Sequence, residues 1–174
     1  MMIGAASAGS FSPRLIDDAY VDAEEEDENF GLEDELWVSS EEGEPAMITY
    51  LYFLKIGSKS EDEIESATLS LYATDVDNPG EVSIHFSEEG FSQDTVTWSD
   101  ELEYDETADH TVEISEEGWY DFDATEIVKK AIERCPSCPF SVFIVAEDDA
   151  SIAFASQEGS EDDKPVLKYT SYEG

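Results

Sequence analysis

The chain has 174 residues, enough for one domain with a sizeable core, and it sets 45 Asp and Glu against 8 Lys and Arg, a formal net charge of −37. Direct nucleic-acid binding is excluded, because neutralising phosphates needs a Lys/Arg footprint, and an anionic membrane surface is disfavoured for the same reason. A hydrophobic fraction of 40 % with 11 % aromatics, interleaved with the acids, excludes an acidic disordered chain.

So acidic a shell repels itself at low ionic strength, and the repulsion is largely screened only near ~1 M salt, where the Debye length is about 3 Å. The composition therefore implies a protein built for concentrated salt. No apolar run approaches the ~20 residues of a membrane span, so no membrane insertion is expected. The start, Met1 to Ser10, lacks the basic and continuous apolar regions of a secretory signal.

Residues 1–16, weakly patterned and containing Pro13, read as an N-terminal arm or linker, with residues 17–174 as one β-sandwich domain. Short strand signals then recur between acidic and Gly-rich turns, near 18–22, 35–39, 46–54, 66–73, 81–86, 95–98, 110–114, 119–122, 140–147, 150–156 and 165–171. In 66–73, Ala67, Leu69, Leu71 and Ala73 share one face, with Ser66, Thr68, Ser70 and Tyr72 on the other. In 81–86, Val82, Ile84 and Phe86 oppose Ser83 and His85. Such alternation marks antiparallel sheets with one buried face. One short helix is predicted near 124–134: Asp123 and Glu126 form a capping pair, Ile127, Val128, Ala131 and Ile132 form an apolar stripe, and Pro136 stops it. The expected fold is all-β, a jelly-roll antiparallel sandwich.

The order of several elements carries a resemblance. Asp18-Ala19-Tyr20-Val21, Asn29-Phe30-Gly31, Leu36-Trp37-Val38, Tyr50-Leu51-Tyr52-Phe53-Leu54, Ile64 through Tyr72, Thr95-Val96-Thr97-Trp98, Trp119 through Thr125, Phe154 through Gly159 and Pro165 through Tyr169 follow one another as in a known pattern. From about Asp18 to Tyr169 the chain resembles the DNRLRE domain family, also described as disaggregatase-related carbohydrate-binding modules. Three positions depart from that pattern: Tyr52 and Gln157 stand where the family has Arg, and Leu54 where it has Asp. The resemblance implies a jelly-roll sandwich of extracellular proteins, adhesins and phage structural proteins, often associated with polysaccharide; it does not fix a ligand.

No catalytic residues are assigned. Among 45 acids, chance pairs carry no information about glycoside hydrolysis, and no phosphate-binding, dinucleotide or zinc-protease motif is present. His85 and His110 lack a triad or metal context. Cys135-Pro136-Ser137-Cys138 reads as a local disulfide or as two spectator thiols, the redox compartment deciding. No cofactor is required, though Asp121 with Asp123, and Asp75 with Asp77, are acidic pairs that a structural calcium ion could use. If Leu51 and Phe53 face the core, then Tyr50 and Tyr52 point the other way, flanked by Ile48 and Leu54. That stripe is either a contact surface for a ligand or partner, or is covered by a loop or the arm. Trp98 and Phe122 are expected in the core.

The function these readings favour is a non-catalytic structural or adhesive module on the surface of a halophilic archaeal virion: a capsid turret, decoration or tail-fibre component contacting host glycans. The alternative is a carbohydrate-binding module of a secreted or cell-surface protein from a halophilic archaeon. Partners would be other virion or cell-surface proteins, further copies of the chain in a homo-oligomer, and a surface glycan or polysaccharide.

Overall fold

The structure, a computed structural model, describes residues 8–57 and 60–172. Among them the chain forms eleven strands and one α-helix: β1 (Ala8–Phe11), β2 (Leu15–Asp22), β3 (Glu35–Glu41), β4 (Glu44–Phe53), β5 (Ile64–Asn78), β6 (Gly80–Ser87), β7 (His110–Ile114), β8 (Gly118–Asp123), α1 (Thr125–Arg134), β9 (Phe140–Ala146), β10 (Ser151–Ala155) and β11 (Val166–Tyr172). Every pairing is antiparallel. One layer runs β2-β4-β9-β6-β7 and the other β1-β11-β5-β10-β3, with β8 on the second edge of β5. The layers are one curled sheet, because β3 pairs with β10 and, through Ser39 to Glu41, with the start of β4. This is the jelly-roll sandwich expected from the strand pattern.

Alternation decides what the layers enclose. Ala67, Leu69, Leu71 and Ala73 of β5 meet Val82, Ile84 and Phe86 of β6, Leu51 and Phe53 of β4, Val142 and Ile144 of β9, and Phe154 of β10 in the main core. Phe122 joins them with no solvent exposure. Burying an aromatic side chain of this kind is worth ~2–3 kcal/mol in transfer terms alone. Phe122→Ala is accordingly expected to cost about 3–5 kcal/mol in a denaturant titration, since the surrounding sheet cannot collapse onto the gap. α1 closes one opening of the sandwich with Ile127, Val128, Ala131 and Ile132. Asp123 caps it differently from the predicted box: its carboxylate accepts from the Thr125 N–H and hydroxyl, which hold it below the usual carboxylate range, while Glu126 lies near Lys129. None of the described helices is long and apolar enough to cross a membrane.

Two local expectations are corrected. The segment 95–98 is not a strand: Trp98 begins a 3-10 turn ending at Asp100. Its β-prone residues lie in a covering segment, where Val96 is buried and Trp98 only partly so; Trp98 therefore packs outside the main core. Part of the presumed arm is strand. Ala8–Phe11 pairs with β11, Leu15 already pairs with Phe53, and residues 1–7 lie outside the described part. The short edge strand was missed because its small residues carry no period-two signal.

Candidate functional site

The two outward faces of the sandwich have different fates. On β4, Ile48 and Tyr50 point away from the main core, as their register requires, and lie beside Ala19 and Val21 of β2 and Phe143 and Val145 of β9. Residues 88–109, between β6 and β7, fold over that face, and Phe91, Val96, Trp98, Leu102 and Tyr104 pack onto it. Tyr50 is left only 3 % exposed. Its ring stacks on Phe143 at 4.2 Å and is tilted against Phe91 at 5.6 Å. Ile48 is buried with it, Tyr52 is half-buried beside Phe91, and Leu54 alone of the four is exposed. The stripe Ile48, Tyr50, Tyr52, Leu54 is thus not an open contact surface: a second apolar cluster forms there because a loop distant in sequence covers it.

Specific bonds hold the cover down. Asn29 Nδ2 donates to the carbonyls of Gln93 and Val96, both at 2.8 Å. The Ser141 hydroxyl donates to Glu89 O at 2.6 Å, and His85 Nδ1 bonds Asp105 O at 2.7 Å. From α1, Lys130 pairs with Asp109 and Asp105, and Arg134 pairs with Asp105 while lying over the Phe86 ring. Gly31 packs so closely on the Gln93 carbonyl that a Cβ there would overlap it. These contacts give Asn29-Phe30-Gly31 a physical role: one side chain clasps the cover, the glycine lets the backbones meet, and Phe30 stacks on Tyr20 at 4.7 Å.

The opposite outward face, on β8-β5-β10-β3, is where aromatic side chains meet solvent. Trp119 of β8, 47 % exposed, packs edge-on against Tyr72 of β5, its register partner, with ring centroids 5.4 Å apart. Trp37 of β3, opposite small Ala153 of β10, points to the same side, because Leu36 and Val38 occupy the core. Strand spacing and the offset along β5 put the two tryptophans on the order of 15 Å apart. Trp37 also lines a cleft of about 410 Å³ with Tyr20, Leu32, Glu33, Asp34 and Glu35. Burial, then Glu33, Asp22, Glu25 and Glu35, push the Tyr20 hydroxyl up to about 12, so it remains a neutral hydrogen-bond donor. Rings that offer an apolar face beside carboxylates and hydroxyls suit a ligand with both C–H and O–H surfaces. Tyr72 is legible on this outward face from alternation, whereas Trp37 and Trp119 stand out in the sequence only as parts of longer motif elements, and no local signal tells an open face from a covered one.

The remaining predicted positions do not gather. Asp121 and Asp123 are exposed on β8, bonded to Ser70 and Thr125, while Asp75 and Asp77 are exposed on the far half of β5. Residues 75–78 are the end of β5, and among the described residues no three His, Cys, Asp or Glu side chains are placed to hold a metal ion. Cys135 and Cys138 are joined by a disulfide just after α1. His85 is buried under the cover, and His110 accepts from the Asp123 N–H.

A curled jelly roll with an open aromatic face is of the β-sandwich class of ligand-binding modules. Comparison with protein families places it further: carbohydrate-binding module family 96 matches residues 10–171, and the chain belongs to that family. Comparison with curated proteins finds no match.

Proposed function

We propose that the protein is a non-catalytic glycan-binding module whose ligand lies along the open face of β8, β5, β10 and β3, from Trp119 and Tyr72 to the cleft at Trp37. The observation that carries this reading is the exposed Trp119 ring with the half-buried Tyr72 and Trp37 rings on the same outward face of a chain whose family is defined by carbohydrate binding. Glu33, Asp34 and Glu35 would accept hydrogen bonds from sugar hydroxyls, and their charge favours an uncharged glycan over a polyuronate. Trp37→Ala and Trp119→Ala are each expected to weaken binding about tenfold, or ~1.4 kcal/mol, in titration calorimetry against a panel of neutral and acidic polysaccharides. Trp119→Ala should leave the melting temperature within about two degrees, since its ring is about half exposed and such surface changes stay within about ±0.5 kcal/mol. Full affinity in both variants, or no binding to any member of the panel by the native chain, would sink the reading.

The setting we propose is the exterior of a halophilic archaeal virion or cell envelope. The net charge supports high salt, and the Cys135–Cys138 disulfide supports an oxidising exterior. The likeness to DNRLRE domains supports surface display. A virion turret or tail fibre and a secreted or cell-surface protein would both present the aromatic face outward. The genes beside this one separate them: capsid and tail genes in the first case, glycan-processing or surface genes in the second.

A further inference from the structure

Asp18 is a carboxylate on the core-facing side of β2, across from Leu51, and none of it reaches solvent. Oδ2 accepts the Gln157 N–H at 2.8 Å, whereas Oδ1 is buried with no hydrogen-bond partner, the only such side-chain atom among the described residues. An ionised carboxylate is costly in such a place unless a cation or further donors satisfy it. Among the described residues no cation pairs with this carboxylate, although Arg14 and Lys164 line a pocket shared with its partner Gln157, Lys164 being paired with Glu161. Asp17 of β2 and Glu158 of the turn after β10 are acidic neighbours, Gln93 and Gln157 are neutral amides, and β4 contributes Leu51. Burial first, and then Glu158 and Asp17, raise the carboxyl to about 6 against the lowering pull of the Gln157 hydrogen bonds.

The partners of Asp18 also support the cleft. Gln157 belongs to the turn in which the Ser156 hydroxyl donates to Glu33 O at 2.6 Å and the Ser156 N–H to Asp34 O at 3.0 Å. Gln93 accepts from the Asp18 N–H and from Gln157 Nε2, and its own carbonyl is one of the two held by Asn29, next to the Phe30 ring that stacks on Tyr20. Two walls of the cleft, the acids 33–35 and Tyr20, are therefore tied to segments that bond Asp18, the 156–159 turn through the Gln157 N–H to its carboxylate and the Gln93 side chain to its backbone N–H.

We propose that Asp18 is a proton-operated support of the cleft: neutral, it lets β2 and the 156–159 turn pack together without a buried charge; ionised, that charge beside Asp17 and Glu158 weakens the packing although the Gln157 N–H still bonds it, and the shape of the cleft at Trp37 changes with it. The consequence for ligand affinity rests on the glycan reading; the structural coupling does not. Because the folded-state value lies above the ordinary 3.8, the stabilising contribution of Asp18 is complete below that value and is lost as pH rises through about 6.

The test compares the native chain with Asp18→Asn and Gln157→Arg from about pH 4 to 8 in ~1 M KCl, which suppresses the general repulsion among the other acids. Asn keeps the shape without the titration, and Arg places a cation beside the carboxylate. Two quantities are read without ligand: the melting temperature, and the NMR resonance of the Trp37 indole N–H. In the native chain both should show a step near pH 6 that is absent from Asp18→Asn. Gln157→Arg should move the step toward ordinary carboxylate pH and raise the melting temperature near pH 7.5. A Trp37 resonance with no step near pH 6, or the same step in Asp18→Asn, overturns the coupling. Glycan titrations over the same range are the separate arm. Affinity should fall about tenfold or more across the step. A pH-independent affinity overturns the link to ligand while the glycan reading stands; a panel that binds at no pH overturns the glycan reading, and the coupling is then decided by the Trp37 resonance.

Discussion

Tyr50→Ser is expected to destabilise the protein by about 3–5 kcal/mol, the loss typical of a large aromatic removed from a packed interior. The ring is 3 % exposed, stacked on Phe143 and touched by Phe91, so serine leaves a void that neither the sheet nor the cover can fill without shifting. Burial also pushes the Tyr50 hydroxyl well above the usual phenol range, in keeping with a ring that has left water. The effect should not be confined to one residue. With Tyr50 gone, Phe91 loses a partner, and the segment 88–109 loses part of the apolar surface on which it sits. Tyr50→Ser and Phe91→Ala should therefore be less than additive, because each removes a contact that the other needs. Tyr52→Ser should cost distinctly less, its ring being half-buried at the rim of the cover. Urea titrations of the three variants and the double mutant measure all of this. A Tyr50→Ser chain as stable as the native one would show that the cover does not seat on the sheet.

Salt should change stability on the scale of the whole folding free energy, about 5–15 kcal/mol for a domain. The physical source is the excess of 45 acids over 8 basic residues. Four of the eight cations are committed locally: Lys130 to Asp105 and Asp109, Arg134 to Asp105, Lys129 to Glu126, and Lys164 to Glu161. Surface pairs contribute at most about 1 kcal/mol each, and the more enclosed Lys130–Asp109 pair must first offset its own desolvation, so together they cannot offset the repulsion of the remaining carboxylates. Screening can. Raising ionic strength from about 0.1 to about 1 M shortens the Debye length from about 10 to about 3 Å, and the melting temperature should climb steeply over that interval. The slope should flatten near pH 4, where carboxylates begin to take up protons and the repulsion fades. A melting temperature that stays level or falls with added KCl at neutral pH would remove the argument for a high-salt protein.

Strand identity was largely written in local pattern. The alternation of β5 and β6 named both the strands and their buried faces, and the stripe Ile127, Val128, Ala131, Ile132 named α1 and its buried side. β9 carried a further signal that alternation alone does not use. Phe140 to Ala146 is buried along its whole length, and its nearly unbroken apolar run is what a strand covered on both faces requires. Period two also put Tyr50 and Tyr52 opposite Leu51 and Phe53 correctly. What it could not supply was the fate of that opposite side. Whether an outward face is wet or covered depends on residues far along the chain: Asn29 reaches Gln93 and Val96 across 64 and 67 positions, and Gln157 reaches Asp18 across 139. Residues 88–109 close one face and leave Trp119, Tyr72 and Trp37 to define the other. The same long-range closure buries Asp18 beside Gln157 and acidic neighbours. Backbone pleat and helix period are properties of neighbouring residues and are readable in order, whereas solvent access is set by which distant segment arrives on top.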